Sequence, residues 1–241
     1  MTILSIETST EALSVALEHK GEIFSHHELA PRKHGELLLP TIDKLLSEAD
    51  AQLSDVEYMV YGCGPGAFTG IRIAVSAIQG LAFGVGCKVV GISSLQSLAA
   101  QAFKETDSDI VIVANDARMR EVYYAVYQRD TTDGALVPVL LSLEQVGPPY
   151  QFSEQEIESA VSGKVDLKNA IGAGSGWKVY AETMNHQFPS IDQHLTELYP
   201  RADVNIGLAK APEAQSRLHE ASLAVPVYLR NNVAAKSSKK K

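Results

Sequence analysis

The sequence has few of the residues that build disulfide frameworks or membrane anchors. Only two of its 241 residues are cysteines, Cys63 and Cys87, which argues against a disulfide framework and fits a reducing compartment. No run is predicted to reach the apolar length of a membrane helix. The first residues lead directly to Ser5 and Glu7, without the basic start or long apolar core of a signal peptide. We therefore expect a cytoplasmic protein with no membrane partner.

Metal-binding and nucleophile motifs are also absent from the sequence. The seven histidines are His19, His26, His27, His34, His186, His194 and His219. None of them forms an HExxH or an i, i+4 pair. His26 and His27 are adjacent on a predicted strand, so their side chains point to opposite faces and cannot share one ion. Ser175, in a second glycine-rich turn, has no identifiable base. Neither a metal site nor a catalytic residue is predicted for this chain.

The formal net charge of −8 opposes broad nucleic-acid binding, because that affinity comes largely from Lys and Arg at phosphates. The exception is a lysine-rich end over residues 231–241. It contains Lys236, Lys239, Lys240 and Lys241. Its composition predicts a disordered, solvated tail.

One stretch, Tyr61–Arg72, is dense in glycine and lies between an apolar strand pattern and an apolar helix pattern. Its three closely spaced glycines are Gly62, Gly64 and Gly66. They allow positive φ and close approach of a neighbouring segment, while Pro65 stiffens the loop. Thr69 is predicted as the N-cap of the following helix.

This loop has two open interpretations. A loop that ends at a helix N-terminus can hold phosphate, because unpaired N–H groups and the positive end of the dipole meet there. However, no P-loop lysine follows, and the loose dinucleotide pattern of Gly62, Gly64 and Ala67 lacks an acid about twenty residues further on. The other interpretation is a strand-to-helix connection without a ligand.

The helix predicted over 70–84 is apolar almost all round, so it should be covered on more than one side. Its small residues, Gly70, Ala74, Ala77 and Gly84, are spaced to let another helix come close. It is either a central core helix or a helix whose surface is completed by a second protein.

The order strand, strand, strand, helix, strand occurs twice along the chain. This repetition predicts an α/β fold of two lobes, the duplicated ribonuclease H-like architecture of the actin-like ATPases. We predict a first lobe over 1–105, a second over 106–200, and a helix with an extended segment over 201–230 that returns to the first lobe. In a kinase of this fold, Glu7 and Asp116 could hold magnesium at the first turns. Alternatively, Glu7 makes hydrogen bonds within its own turn. Asp116 would then form an ion pair with Arg118.

Several motifs together resemble the bacterial TsaB (YeaZ) family. They are Ile6–Ser9, Arg32–His34, Gly64–Arg72, Gly80–Ala82 and Asp116–Tyr123. The GPGxFTGIR run is the most specific, and the match spans most of the first lobe and enters the second. The resemblance implies a non-catalytic subunit of the machinery that forms threonylcarbamoyladenosine beside the anticodon of ANN-decoding tRNAs. Such a subunit binds and activates a metal-dependent TsaD-type transferase.

The resemblance also implies partners and residues. A TsaE-type ATPase would join the complex, the chain alone would form a homodimer, ATP or ADP could lie at the subunit interface, and tRNA contact would be mainly indirect. The implied partner interface is His34, Leu38, Ile42, Gly70, Ala74, Ala77 and Leu81. The implied nucleotide or interface loop is Glu7, Thr8, Gly64, Gly66, Thr69 and Arg72. The motif residues of open role are Asp116, Arg118 and Glu121.

The resemblance further implies that Ser94 and Leu98 stand where the catalytic relative has its metal-binding histidine pair. A leucine cannot ligate a metal, and a serine hydroxyl does so poorly. Two enzymatic alternatives remain: an ATP-binding phosphotransferase or ATPase of the actin-like superfamily, and a metalloprotease, which the missing histidine pair disfavours.

Overall fold

Two mixed β-sheets with helices packed on their faces form the framework of the chain. The computed structural model describes residues 1–131, 136–160 and 167–230. The first sheet contains β1 (Thr2–Glu7), β2 (Ala12–His19), β3 (Glu22–Leu29), β4 (Tyr58–Gly64) and β5 (Lys88–Ser93). Its order is β3-β2-β1-β4-β5. Strand β1 pairs antiparallel with β2 and parallel with β4.

The second sheet repeats this pattern. Its strands are β6 (Ile110–Asp116), β7 (Val122–Asp130), β8 (Val137–Leu140), β10 (Ala170–Ala173) and β11 (His194–Leu195), with the short β9 (Gln145–Gly147) paired to β7. The order is β11-β10-β6-β7-β8. Strand β6 pairs antiparallel with β7 and parallel with β10. The predicted duplicated α/β fold is confirmed by this repeated topology.

The helices cover the sheets on both faces. They are α1 (His34–Glu48), α2 (Phe68–Val85), α3 (Ser94–Glu105), α4 (Glu154–Ala160), α5 (Gly176–Val179), α6 (Ala181–Gln187), α7 (Ala202–Ala209) and α8 (Pro212–Ser216). Helices α1 and α2 pack on one face of the first sheet, and α7 packs on the other. Strands β1 and β2 are consequently buried at every position. Residues of α7 pack with Ile3, Ala16 and Val60 of the first sheet.

Helix α3 lies between the two sheets. Its N-cap is Ser93, whose hydroxyl accepts hydrogen bonds from the N–H groups of Leu95 and Gln96. Its apolar face, including Leu98 and Phe103, packs on the second sheet. The sequence assigns α3 to a first lobe ending at residue 105, but most of its core neighbours belong to the other lobe.

Several local predictions are wrong. Helix α2 begins at Phe68 with Ala67 as its N-cap, so Thr69 lies inside the first turn rather than capping it. Helix α1 begins at His34, in the predicted segment 31–34, and contains Pro40, where the sequence predicts a bend or the start of the helix. Elements such as β9, β11 and α8 were not predicted, because segments of two to five residues carry no periodic pattern.

Three predicted features lie outside the described residues: the turn at Asp133–Gly134, the end of the fourth helix at Val161, and the tail over 231–241. The prediction that no segment reaches membrane-spanning length also needs correction. Helix α2, with 18 residues and a mean hydropathy of 1.4, is the one helix in the described part of the chain that is long and apolar enough. Length and composition alone are weak evidence, because core helices of other proteins satisfy the same criterion.

Two glycines of α2 have opposite surroundings. A Cβ atom on Gly70 would lie 2.0 Å from the backbone oxygen of Thr8, whereas a Cβ on Gly80 would meet nothing within 4 Å. The first glycine is therefore required by close approach of the chain to itself. The second is not required by any described part of the chain.

We predict opposite effects for the same substitution at these positions. Gly80→Ala should raise the free energy of unfolding by about 0.5–1 kcal/mol, because glycine weakens a helix interior relative to alanine. Gly70→Ala should lower it by roughly 1–3 kcal/mol, because the backbone of Thr8 must move. Urea denaturation followed by circular dichroism measures both, and equal effects would contradict the packing described here.

Candidate functional site

The first turn of the chain packs directly against the glycine loop. The hydroxyl of Thr8 donates to the carbonyl oxygen of Gly70 at 2.8 Å, and the N–H of Ala67 donates to the carbonyl oxygen of Ser9 at 2.7 Å. A Cβ on Gly66 would lie 2.3 Å from that same Ser9 oxygen. The N-cap N–H of α2 therefore binds a carbonyl of this chain, which supports the interpretation of the loop as a connection without a ligand.

Glu7 lies below this turn and is shielded from solvent. It is 1% exposed, accepts a hydrogen bond from the Ser9 N–H at 2.6 Å and faces the Ser94 hydroxyl at 3.4 Å. Burial raises the pKa of Glu7, and the hydrogen bonds from Ser9 offset part of that shift. A Cβ atom on Gly62 would lie 1.9 Å from the Glu7 carboxylate, so only glycine fits at this position. The carboxylate therefore holds the turn and is not open to a magnesium ion.

Arg72, a member of the predicted nucleotide or interface loop, faces outward and contacts two aromatic rings. Its guanidinium lies 3.5 Å from the ring centroid of Phe68 and 5.6 Å from that of Tyr228. Its Nε donates to the Tyr228 hydroxyl at 2.8 Å. Thr69 is also exposed, whereas Thr8 and Gly64 are buried.

Asp116 is occupied by contacts within the second lobe. Its carboxylate pairs with the Arg118 guanidinium at 3.0 Å and accepts the Arg118 backbone N–H at 2.9 Å. It also accepts the Tyr180 hydroxyl at 2.9 Å, and burial together with this bond raises the pKa of Tyr180 to about 12. The backbone N–H of Asp116 donates to Ser175, whose hydroxyl donates in turn to Asn115. The ion-pair interpretation of Asp116 and Arg118 agrees with these contacts, and Ser175 is a turn residue.

The turn that follows is unusual in its backbone. Arg118, Met119 and Arg120 all have left-handed φ angles, of 60°, 56° and 65°, which cost roughly 1–2 kcal/mol per non-glycine residue. Arg230 holds this turn. Its guanidinium pairs with Glu121 and donates to the carbonyl oxygen of Ala117 at 3.2 Å.

Residues 225–230 were predicted only as an extended, exposed stretch, but they bridge the two lobes. The N–H of Val227 donates to the carbonyl oxygen of Cys63 at 2.8 Å, and Tyr228 contacts Arg72 on the first lobe. Arg230 contacts Glu121 on the second lobe. No local sequence signal reveals these contacts, because the partners are more than 100 residues apart.

A cavity of about 290 Å³ lies between the lobes at this point. Its walls are the first turn, the glycine loop, the turn at 115–119 and the bridging residues 227–230. The structure thus brings Gly66, Asp116 and Arg118 together, with Arg72 behind the Phe68 and Tyr228 rings. It leaves Glu7 and Gly64 out of the cavity.

A buried acid that the sequence did not reveal joins the lobes behind this cavity. Glu144 accepts hydrogen bonds from the hydroxyls of Tyr127, at 2.6 Å, and of Ser93. Burial raises the pKa of Glu144 and also that of the neighbouring Cys63 thiol, the latter to about 12. The Cys63 thiol donates to the Gly64 carbonyl oxygen at 3.9 Å, so it takes no part in the hydrogen bonds that hold Glu144.

The residues at the metal-ligand positions of the catalytic relative do not fit a metal. Ser94 and Leu98 are fully buried, and Leu98 packs among the apolar side chains of the second sheet. Among residues 1–131, 136–160 and 167–230, no group of three His, Cys, Asp or Glu side chains is placed to hold an ion.

The implied partner interface needs correction. His34, Leu38, Ile42, Gly70 and Ala74 are buried in the chain, with His34 Nε2 3.2 Å from the Ala12 carbonyl oxygen. They cannot form an outer surface. Ala77 and Leu81 are half-buried. The sequence could not separate the sheet-facing side of α2 from its outer side, because both are apolar.

The outer face of the two helices is called here the α1–α2 face, and of the implied interface residues it contains only Ala77. Its residues are Leu39, Ile73, Ala77, Gly80, Phe83 and Gly84. Phe83 is 83% exposed and Leu39 is 53% exposed. Added Cβ atoms on Gly80 and Gly84 would meet nothing. This face is apolar, open and low enough in relief for a helix to approach closely.

Comparison with known proteins supports one family. The sequence matches the family TsaD, described as tRNA N6-adenosine threonylcarbamoyltransferase, over residues 23–238. It is 35% identical over 239 residues to the tRNA threonylcarbamoyladenosine biosynthesis protein TsaB of Escherichia coli (strain K12), covering 98% of this chain and 97% of the relative. The protein with the same description in Haemophilus influenzae is 34% identical over 233 residues, covering 97% and 95%.

Solved structures agree with these relatives. The structure of YeaZ from Pseudomonas aeruginosa is 40% identical, with a TM-score of 0.83 over 95% of this chain and 99% of that one.

We predict a pH-dependent effect of Glu7→Gln. Because the pKa of folded Glu7 is raised above its ordinary value of 4.5, the folded wild type loses stability as pH rises through the raised pKa. The glutamine amide does not titrate. The free energy of unfolding of the variant minus that of the wild type should therefore increase as pH rises above about 4.5. Urea denaturation between pH 5 and 8 gives this difference. A difference that is constant, or that changes in the wild type's favour as pH rises, would contradict a buried carboxylate.

Proposed function

The chain belongs to the TsaB (YeaZ) family, within the wider TsaD family, and we propose that it serves as a non-catalytic subunit in forming threonylcarbamoyladenosine in tRNA. The observation that carries this proposal is the contrast between an engaged cleft and an open helical face. In the cleft, Asp116 is paired with Arg118; Leu98, which the resemblance places at a ligand position, packs in the core of the second sheet. On the α1–α2 face, the side chains of Leu39 and Phe83 are exposed, and added Cβ atoms on Gly80 and Gly84 would meet nothing in the described chain.

The glycines support a helix as the partner. Each glycine in a helix interior costs about 0.5–1 kcal/mol relative to alanine, and nothing in the described chain requires Gly80 or Gly84 to lack a side chain. A second helix packed across them gives a physical reason, because small residues let helix axes approach closely. The exposed ring of Phe83 supplies apolar area for the same contact.

We propose that two partners use this face: a TsaD-type catalytic subunit in the active complex, and a second copy of this chain when it is alone. The related fold makes a matching pair of helices available on each partner. A TsaE-type ATPase would join the complex, with ATP or ADP at a subunit boundary near the mouth of the cavity. The free cysteines, Cys63 and Cys87, support a reducing compartment such as the cytoplasm.

We predict that Gly80→Arg prevents both associations and leaves the monomer folded. The added side chain meets nothing within the chain but places a charge where a partner helix must approach. Size-exclusion chromatography with light scattering measures association, and circular dichroism measures folding. In a strain depleted of its own subunit, the variant should fail to restore threonylcarbamoyladenosine in tRNA.

Gly207→Arg is the matched control, because Gly207 is an exposed glycine of another helix, α7, and also has open space around it. It should associate like the wild type. Ala74→Arg is unsuitable, because Ala74 is fully buried and a charge there should unfold the monomer. Normal pairing of Gly80→Arg, or turnover of ATP with magnesium by the purified chain alone, would contradict the proposal.

A further inference from the structure

Four of the eight arginines of this acidic chain lie around the mouth of the cavity between the lobes. Arg118 and Arg230 line the cavity. Arg72 holds Phe68 and Tyr228, which also line it, and Arg120 follows Met119 in the lining turn. In a chain of net charge −8, these four arginines outnumber by one the acids beside them, Glu11, Asp116 and Glu121.

These arginines differ in their pairing. Arg118 is paired with Asp116, and Arg230 is paired with Glu121. Arg72 and Arg120 have no acidic partner in the described part of the chain. At the mouth, the charges of Arg72 and Arg120 are therefore not neutralised by an acidic side chain of the described chain. Apart from Asp116, the cavity wall contains one acid, Glu11.

Arg72 is held ready for an external anion. Two aromatic rings flank its guanidinium, and its Nε is occupied by the Tyr228 hydroxyl. The terminal N–H groups remain as a fork, which matches the two oxygens of a phosphate. Because the stack already restricts the side chain, binding costs little further rotamer entropy.

Arg120 is presented by the left-handed turn. That turn keeps three non-glycine residues in costly conformations, and Arg230 holds it in place from the bridging segment. Strain that is retained by such support is concentrated at functional positions in proteins. Its neighbours Arg118 and Met119 are 78% and 61% exposed, so the turn projects outward.

We propose that Arg72 and Arg120 bind phosphates of the tRNA backbone, which makes this chain a direct RNA-contacting subunit. The proposal rests on the proposed function, and it revises the expectation that tRNA contact is mainly indirect. RNA is favoured over an acidic peptide because the partly exposed rings of Phe68 and Tyr228 stand beside the free arginines. Arginines combined with aromatic surfaces are a common means of binding unpaired nucleotides.

The test is the salt dependence of tRNA binding. An unmodified transcript of an ANN-decoding tRNA is titrated with the complex of this chain and a TsaD-type subunit, and with the chain alone at low salt. Arg72→Gln and Arg120→Gln should each weaken binding several-fold. Each should also reduce the slope of log affinity against log salt by about one. The double variant should lose both contributions.

Arg217→Gln is the matched control, because Arg217 is an exposed arginine outside the mouth. It should leave affinity and slope unchanged. Unchanged binding by the double variant would overturn the proposal. So would loss of association with the TsaD-type subunit while the chain alone binds RNA as before, because the arginines would then contact an acidic peptide. Failure of the wild type to associate would instead refute the proposed function, since the measurement on the chain alone still tests the RNA contact.

Discussion

The close approach of the first turn to the glycine loop is the constraint on which the rest of the structure depends. The backbone oxygens of Thr8 and Ser9 occupy the space that Cβ atoms on Gly70 and Gly66 would need. This contact connects β1 to the start of α2 without intervening side chains. It also gives the N-cap N–H of α2 a carbonyl of the chain itself. A loop that resembles a phosphate cradle in sequence is thereby a structural joint.

That joint determines which side of α2 packs and which side remains open. Ile71, Ala74 and Ile78 face the first sheet, whereas Gly80 and Phe83 face outward. In helix α3, Ser94 and Leu98 are fully buried. The molecule therefore combines the fold of a nucleotide-binding enzyme with an occupied interior and a free helical surface. These are the properties of a subunit that acts by binding.

The sequence predicted the duplicated topology, because the order of strands and helices can be read from local periodicity. It could not predict the orientation of α2, since a helix apolar all round gives no direction. Buried residues such as Leu38 and Ala74 were consequently assigned to the partner interface. The bridge from Tyr228 to Arg72 and from Arg230 to Glu121 also could not be predicted, because it joins residues more than 100 positions apart.

Hydrogen–deuterium exchange of this chain, with and without a TsaD-type subunit, tests the central claim most directly. The account predicts slower exchange on binding in α1 and α2, over residues 34–48 and 68–85, with α7 unchanged. Slower exchange confined to α7 or to the second lobe, or no change anywhere, would contradict it.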